Sequence, residues 1–220
     1  MYLSKLILNP RNPGVRKDVA RPYELHRTLK RSVEGASEEN RLLFRIEPPN
    51  GQREAGPVVL VQSSHAAPEW AWMRENGYVL AVRGPKVFDV QVRPGQALTF
   101  RLTANPTVKK KVEGKRHSVR VPLIHDGPNS ENHPTYLDWL ARKAGQHGFG
   151  VLRVQGAPFH VGMARQKRKQ YNKADIPHFG VRFDGLLRVT DPDRLAEAVR
   201  DGIGPAKAFG FGLLSLAPAP

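Results

Sequence analysis

The order of strand-like and helix-like segments is the feature that most constrains the fold of this chain. In the first 92 residues, apolar alternation and short apolar runs predict four strands, at residues 2–8, 41–47, 57–62 and 86–91. A helix is predicted at about residues 20–34 with Asp18 as its N-cap, after a loop containing Pro13 and Gly14, and a short helix begins at Pro68. The resulting β-α-β-β-α-β order is that of a ferredoxin-like unit.

The second half of the chain has the same order of segments. Its strands are predicted at residues 97–104, 149–155, 179–189 and 213–216, and its helices at residues 134–147 and 191–199. Asp191 as N-cap, followed by Pro192 at the first helical position, gives the last helix a clear start. Residues 108–116 are predicted as a basic loop and residues 118–123 as a further alternating stretch.

A turn at residues 93–96, Arg-Pro-Gly-Gln, separates the two halves. The chain is therefore predicted to be an α+β protein of two tandem ferredoxin-like (RRM-like, βαββαβ) domains, residues 1–92 and 93–220.

The charge balance indicates a polyanionic partner. The formal net charge is +15, from 35 Lys and Arg against 20 Asp and Glu. Residues 96–220 contain two-thirds of this excess, and an excess of this size is typical of proteins that bind nucleic acid.

Several classes of protein are excluded by what the sequence lacks. There is no cysteine, so disulfides and thiolate zinc sites are ruled out. The histidines show no i, i+3 or i, i+4 pair, and no converging carboxylates are recognisable, so neither a metal nor another cofactor is expected. With no apolar run of membrane-spanning length and no secretory signal, a soluble cytoplasmic protein without a membrane partner is expected.

The helix after Asp18 contains a candidate acid–base cluster. Leu25, Leu29 and Val33 form a core-facing stripe, and the neighbouring face collects Tyr23, His26, Arg27 and Lys30 at spacings of three and four. A phenol, an imidazole and two cations can transfer protons and stabilise negative charge. Taken by themselves, these residues favour a surface helix with an incidental histidine over an acid–base cluster.

Two basic runs are candidates for binding RNA. The first contains Lys109, Lys110, Lys111, Lys115 and Arg116, and the second contains Arg165, Lys167, Arg168 and Lys169. The second run is predicted at the tip of a hairpin, which suits the deep, narrow groove of A-form RNA. Solvated loops are the alternative interpretation of both runs.

A glycine-rich segment at residues 202–212 precedes the last strand. It is not a dinucleotide fingerprint, which follows a strand and opens a helix. Its backbone is predicted to approach RNA phosphates, with Gly204, Lys207, Gly210 and Gly212 as the contacting residues. The alternative is a flexible connection.

Two motifs together resemble a known family. Residues 20–29, Ala-Arg-Pro-Tyr-Glu-Leu-His-Arg-Thr-Leu, follow an N-terminal Leu-Asn-Pro, and residues 202–215 read Gly-Ile-Gly-Pro-Ala-Lys-Ala-Phe-Gly-Phe-Gly-Leu-Leu-Ser. In this order and separation they resemble the CasE-type (Cse3) CRISPR RNA-processing endoribonucleases of type I-E Cascade. The resemblance covers essentially the whole chain.

The resemblance implies a function and a set of roles. Such an enzyme binds the stem-loop of each CRISPR repeat and cuts at its 3′ base without metal, through attack of a 2′-hydroxyl. The products are a 2′,3′-cyclic phosphate and a 5′-hydroxyl, and the processed RNA stays bound with the other Cascade subunits. Tyr23 and His26 match the family's active-site pair, with His26 as general acid and Tyr23 as orienter or base. Arg31, with Arg27 or Lys30, would stabilise the phosphorane charge.

Two other functions compete with this one. A non-catalytic RNA-binding or assembly subunit of the same fold would have the same charge, glycine-rich segment and hairpin, so only Tyr23 and His26 favour catalysis. A DNA-binding regulator is less well supported, because no helix-turn-helix is recognisable.

Overall fold

The computed structural model describes residues 1–33, 35, 40–48, 55–111, 119–124, 134–161 and 178–220. Ten strands lie within these ranges: β1 (Tyr2–Leu8), β2 (Leu42–Ile46), β3 (Val58–Ser63), β4 (Val79–Val87), β5 (Ala97–Ala104), β6 (Thr107–Lys110), β7 (Val119–Pro122), β8 (Phe149–Val161), β9 (His178–Val189) and β10 (Leu214–Pro218). The α-helices in the same ranges are α1 (Pro13–Ala20), α2 (Pro22–Lys30), α3 (Ala71–Glu75), α4 (Tyr136–Gln146) and α5 (Pro192–Asp201).

Two four-stranded antiparallel sheets confirm the predicted fold. The first has the order β2-β3-β1-β4, and the second has the order β10-β5-β9-β8. In each sheet the strand that comes first in sequence lies between the third and the fourth, as in a ferredoxin-like βαββαβ unit. The first sheet ends at Val87 and the second begins at Ala97, while the domain boundary between residues 92 and 93 stays a prediction.

The helical region after β1 differs from its prediction. It consists of two helices, and α1 begins where a loop was predicted because the Asn12 side chain accepts hydrogen bonds from the Gly14 and Val15 amides. Pro22 pushes Arg21 out of the helical conformation, and this separates α1 from α2.

Asp18 is therefore not an N-cap. It lies buried inside α1, where its carboxylate accepts hydrogen bonds from the Tyr78 hydroxyl at 2.8 Å and the Thr28 hydroxyl at 2.7 Å. The carboxylate thus ties α1 to α2 and to the residue before β4.

Two strands were also misplaced. β4 spans Val79–Val87, whereas the strand was predicted at residues 86–91. Its pairing with β1 shifts register between Arg83 and Lys86, and this irregularity allows Gly84 and Pro85 to lie within the strand. Residues 108–110 were assigned to a basic loop, but they lie in β6, which pairs with β7. The predicted cap of α5 is confirmed, since the Asp191 side chain accepts a hydrogen bond from the Arg194 amide.

Each sheet packs against its helices in a separate apolar core. Leu25 and Leu29 of α2 are fully buried in the first core, with Phe44 of β2. Trp139 of α4 and Leu195 of α5 pack in the second core. Burial of the two leucines fixes the rotation of α2, so Tyr23, Arg27 and Lys30 are exposed. Among the described helices, none is long and apolar enough to cross a membrane.

Candidate active site

His26 is held in a half-buried position between α2 and β2. Its ring centroid lies 6.1 Å from that of Phe44, and its ring is hydrogen-bonded to the backbone of Leu42. The pKa of His26 is lowered to about 4, mainly by burial and then by the positive charge of Lys30, while the hydrogen bond to Leu42 acts in the opposite direction. His26 is therefore neutral at pH 7 in the protein alone.

Tyr23 lies on the first turn of the same helix and is 37% exposed. Its ring centroid is 5.5 Å from that of Phe209, with the planes tilted by 33°. Phe209 belongs to a 3-10 turn, Lys207–Phe209, within the glycine-rich segment. The site is therefore formed by a helix from the first half of the chain and a loop from the second.

The contacts continue from Phe209 into the second sheet. The ring of His178, the first residue of β9, lies 4.1 Å from the Phe209 ring. Its Nε2 is buried and has no hydrogen-bond partner among the described residues, and burial lowers the pKa of His178. Neither Phe209 nor His178 was among the sequence-derived site residues, because nothing in the local pattern indicates which distant ring will meet Tyr23.

The three cations proposed to stabilise the phosphorane have different surroundings. Lys30 is exposed and its charge acts on His26. Arg27 forms an exposed ion pair with Glu24 at 3.1 Å, a weak interaction that a phosphate can replace. The guanidinium of Arg31 lies 4.5 Å from the centre of the Trp72 ring. Lys30 is thus the cation that the structure links to the candidate histidine.

Two of the predicted glycine contacts have another role. Gly210 and Gly212 are buried, and their amides donate to the carbonyls of Lys207 and Thr103. These amides already have acceptors within the chain, so exposed amides at these two glycines are not what the structure shows, and contact of Gly210 and Gly212 with RNA stays a prediction. Gly210 has a φ of +85°, which favours glycine, and a Cβ there would also lie 3.1 Å from the Phe44 ring, a tight contact. Gly204 is half-buried and stays a predicted contact.

Lys207 lies in a positively charged environment. Burial lowers the pKa of Lys207, the charges of Arg41 and Lys143 lower it further, and Asp201 opposes them. A phosphate placed here would offset the repulsion between the three cations. Lys207 stays a predicted RNA contact, beside the turn that carries Phe209.

The other predicted cations are only partly described. Lys109, Lys110 and Lys111 are exposed at the end of β6 and beyond it. The remaining ones, Lys115, Arg116, Arg165, Lys167, Arg168 and Lys169, lie outside the described residues. β8 and β9 pair antiparallel up to Val161 and His178, and the second basic run lies in the sequence between these two residues.

No group of three or more His, Asp or Glu side chains that could hold a metal ion is found within the described ranges. Proton transfer by His26 and Tyr23, with charge stabilisation by cations, is the chemistry that this arrangement supports.

Comparison with known proteins then places the chain. A family model described as "CRISPR associated protein" matches residues 1–218. The chain is 38% identical over 227 residues to the CRISPR-associated endoribonuclease Cse3 of Thermus thermophilus, and this match covers 99% of this chain and 100% of that protein. The chain belongs to the Cse3/CasE family.

A second member of this family is the CRISPR system Cascade subunit CasE of Escherichia coli K12, 33% identical over 230 residues, with 99% of this chain and 100% of that protein covered. The fold agrees as well. A structure of CRISPR endoribonuclease Cse3 bound to a 19 nt RNA superposes with a TM-score of 0.82 at 40% identity, covering 99% of this chain and 100% of that one. The resemblance inferred from the two sequence motifs is confirmed.

Proposed function

We propose that this protein is an endoribonuclease that binds the repeat stem-loop of CRISPR precursor RNA, cleaves at the 3′ base of the stem and retains the product within Cascade. The observation that carries the proposal is the placement of Tyr23 and His26 three residues apart on α2, with Tyr23 packed against Phe209 in the loop that also contains Lys207. The names of the Thermus and Escherichia relatives support cleavage of RNA and assembly in Cascade, respectively.

The reaction needs no group beyond those of the chain and the RNA. The 2′-oxygen attacks the adjacent phosphorus and loses its proton, while the bond from phosphorus to the 5′-oxygen breaks and that oxygen gains a proton. The products are a 2′,3′-cyclic phosphate and a 5′-hydroxyl. We therefore propose that cleavage is metal-independent, and that it occurs in the cytoplasm where the transcript is available.

His26 is proposed as the general acid at the 5′-oxygen. Since His26 is neutral at pH 7 in the protein alone, this role requires that it takes up a proton when RNA binds. The negative charge of the scissile phosphate beside the ring favours the imidazolium form and raises its pKa. Proton uptake on binding is thus a necessary part of the acid assignment.

Tyr23 is proposed to orient the 2′-hydroxyl or to accept its proton, and Lys30 to stabilise the extra charge on the phosphorane, with Arg27 and Arg31 as further cations. Lys207, Gly204 and the two basic runs are proposed to bind the RNA backbone, and this would position the stem across the site.

One experiment separates the candidate functions. RNA and DNA versions of the repeat hairpin, each end-labelled, are incubated with the protein in excess EDTA, and binding and cleavage are measured together. An endoribonuclease of this kind binds the RNA and cuts it once, and the product with the stem co-purifies with the protein. Binding of RNA without cleavage would favour a non-catalytic assembly subunit, and preference for the DNA hairpin would favour a regulator.

A further inference from the structure

We propose that Phe209 is a positioning residue that holds the Tyr23 phenol in its reactive orientation, and that His178 in turn holds Phe209. The proposal rests on the proposed function, because it assigns a task to residues that touch Tyr23 and not the RNA.

Tyr23 needs a neighbour to fix its side chain. It lies on the first turn of α2 with more than a third of its surface exposed, and a side chain there has several staggered rotamers available. The Phe209 ring, 5.5 Å away, is the aromatic group that packs against it. A tilted ring pair of this kind restricts both rings, so the Phe209 contact selects the direction of the phenol oxygen.

The loop that carries Phe209 is itself tightly defined. Ala206 before the turn has a φ of +61°, uncommon for a residue with a Cβ, and Gly210 after it has a φ of +85°. The amides of Phe209 and Gly210 donate to the carbonyls of Ala206 and Lys207. A left-handed alanine persists only when the surrounding structure imposes it, and here it turns the chain so that Phe209 reaches α2.

The same loop also supports His26. Gly210 packs against the ring of Phe44, and Phe44 lies beside the His26 ring. Adjacent residues of one loop therefore contact the surroundings of both proposed catalytic groups. The helix α2 places the two residues on one face, and the loop acts on the orientation of the Tyr23 side chain and on the packing beside His26.

His178 completes the chain of contacts. The centroid of its ring lies 4.1 Å from that of Phe209. The buried Nε2 of His178 has no hydrogen-bond partner among the described residues, so the ring acts here by packing against Phe209. Because His178 begins β9, the stack Tyr23–Phe209–His178 joins α2 to a strand of the hairpin that is proposed to bind the RNA stem.

The test is a double-mutant cycle on single-turnover cleavage of the RNA hairpin. Phe209→Leu is expected to lower the cleavage rate constant by roughly 10- to 100-fold, the cost of a misplaced reactive group, with little change in RNA affinity. Phe209→Tyr, which keeps the ring, is expected to retain most of the activity. In a Tyr23→Phe background, Phe209→Leu should have an additional effect of less than about twofold, because the hydroxyl that it positions is already absent.

Two further variants keep the test decisive. His178→Leu leaves Phe209 in place and removes the ring beneath it, so it should lower the rate in the wild-type background and not in the Tyr23→Phe background. Phe88→Leu is the matched control, since Phe88 is a half-buried phenylalanine packed against the second core, and its rate should be unchanged.

The outcomes distinguish this proposal from the proposed function. Equal rate losses for Phe209→Leu with and without the Tyr23 hydroxyl would overturn the positioning role and leave the endoribonuclease assignment intact. Full activity of Tyr23→Phe would also overturn it, because no hydroxyl would then need positioning. The endoribonuclease assignment itself depends on cleavage of the RNA hairpin by the wild-type protein.

Discussion

The ring of Tyr23 on α2 packs against the ring of Phe209 in the glycine-rich loop, with 5.5 Å between their centroids. These residues come from opposite ends of the chain and from different ferredoxin-like units. The candidate active site therefore exists only when both units are folded and docked, and its properties should respond to substitutions in either half.

Replacement of His26 by alanine should abolish cleavage of the repeat hairpin while RNA affinity changes little, because the ring is proposed to transfer a proton and not to anchor the stem. Single-turnover cleavage and equilibrium binding of the same labelled RNA measure the two effects. His65→Ala is a suitable control, since His65 is exposed on the loop after β3. Full-rate cleavage by His26→Ala would rule out the proposed site.

Binding of RNA should be linked to protonation of His26. The pKa of about 4 in the protein alone must rise in the complex if His26 is the acid, so the complex binds more protons between the two pKa values. RNA affinity should then increase as the pH falls through this range, by up to about tenfold per pH unit.

Titration with an uncleavable RNA between pH 5 and 8, in parallel with His26→Asn, measures this linkage. The difference between the two proteins isolates His26 from His147 and His178, whose pKa values are also lowered by burial. Identical pH dependence in both proteins would show that His26 stays neutral in the complex and would assign it the role of base.

Removal of the Asp18 carboxylate should destabilise the fold. Asp18→Ala leaves the hydroxyls of Tyr78 and Thr28 without their acceptor in a buried environment, at a cost of about 1–3 kcal/mol in the free energy of unfolding. Urea denaturation followed by circular dichroism measures the loss. Asp89→Ala, at an exposed position, should change stability by less than about 0.5 kcal/mol. Equal effects of the two substitutions would contradict the structural role of Asp18.

Neutralising the second basic run should reduce the salt dependence of RNA binding. Each lost phosphate contact lowers the slope of log K against log salt by about 0.7–0.9, so Arg165, Lys167, Arg168 and Lys169 changed together to glutamine should give a clearly shallower line. The matched control changes four exposed cations outside the two basic runs, Arg74, Arg83, Lys86 and Arg93, to glutamine. If the hairpin variant keeps the wild-type slope, this run does not contact RNA.

The sequence predicted the architecture because the relevant signals are local. Apolar periodicity located most strands, and Asp191 with Pro192 defined the start of α5. The errors came from local signals with two interpretations. The loop predicted around Pro13 and Gly14 is the start of α1, because the preceding Asn12 caps that helix. The strand predicted at residues 86–91 is β4, which spans Val79–Val87.

The candidate site was predictable only where one helix contains it. The spacing of Tyr23, His26 and Lys30 places them on one face whatever else the chain does. Contacts with Phe209 and His178 depend on how the two units dock, and the amides of Gly210 and Gly212 find their acceptors only in the folded loop. These are tertiary relationships, and no local pattern encodes them.

The central claim is that the 2′-hydroxyl of the RNA is the nucleophile and that the chain's own side chains catalyse its attack. It is tested most directly by single-turnover cleavage in excess EDTA of two hairpins that differ only in a 2′-deoxy sugar at the nucleotide 5′ to the cut. We predict full-rate cleavage of the unmodified RNA, with a 2′,3′-cyclic phosphate product, and no cleavage of the deoxy RNA. Cleavage of the deoxy RNA, or loss of all activity in EDTA, would contradict this account.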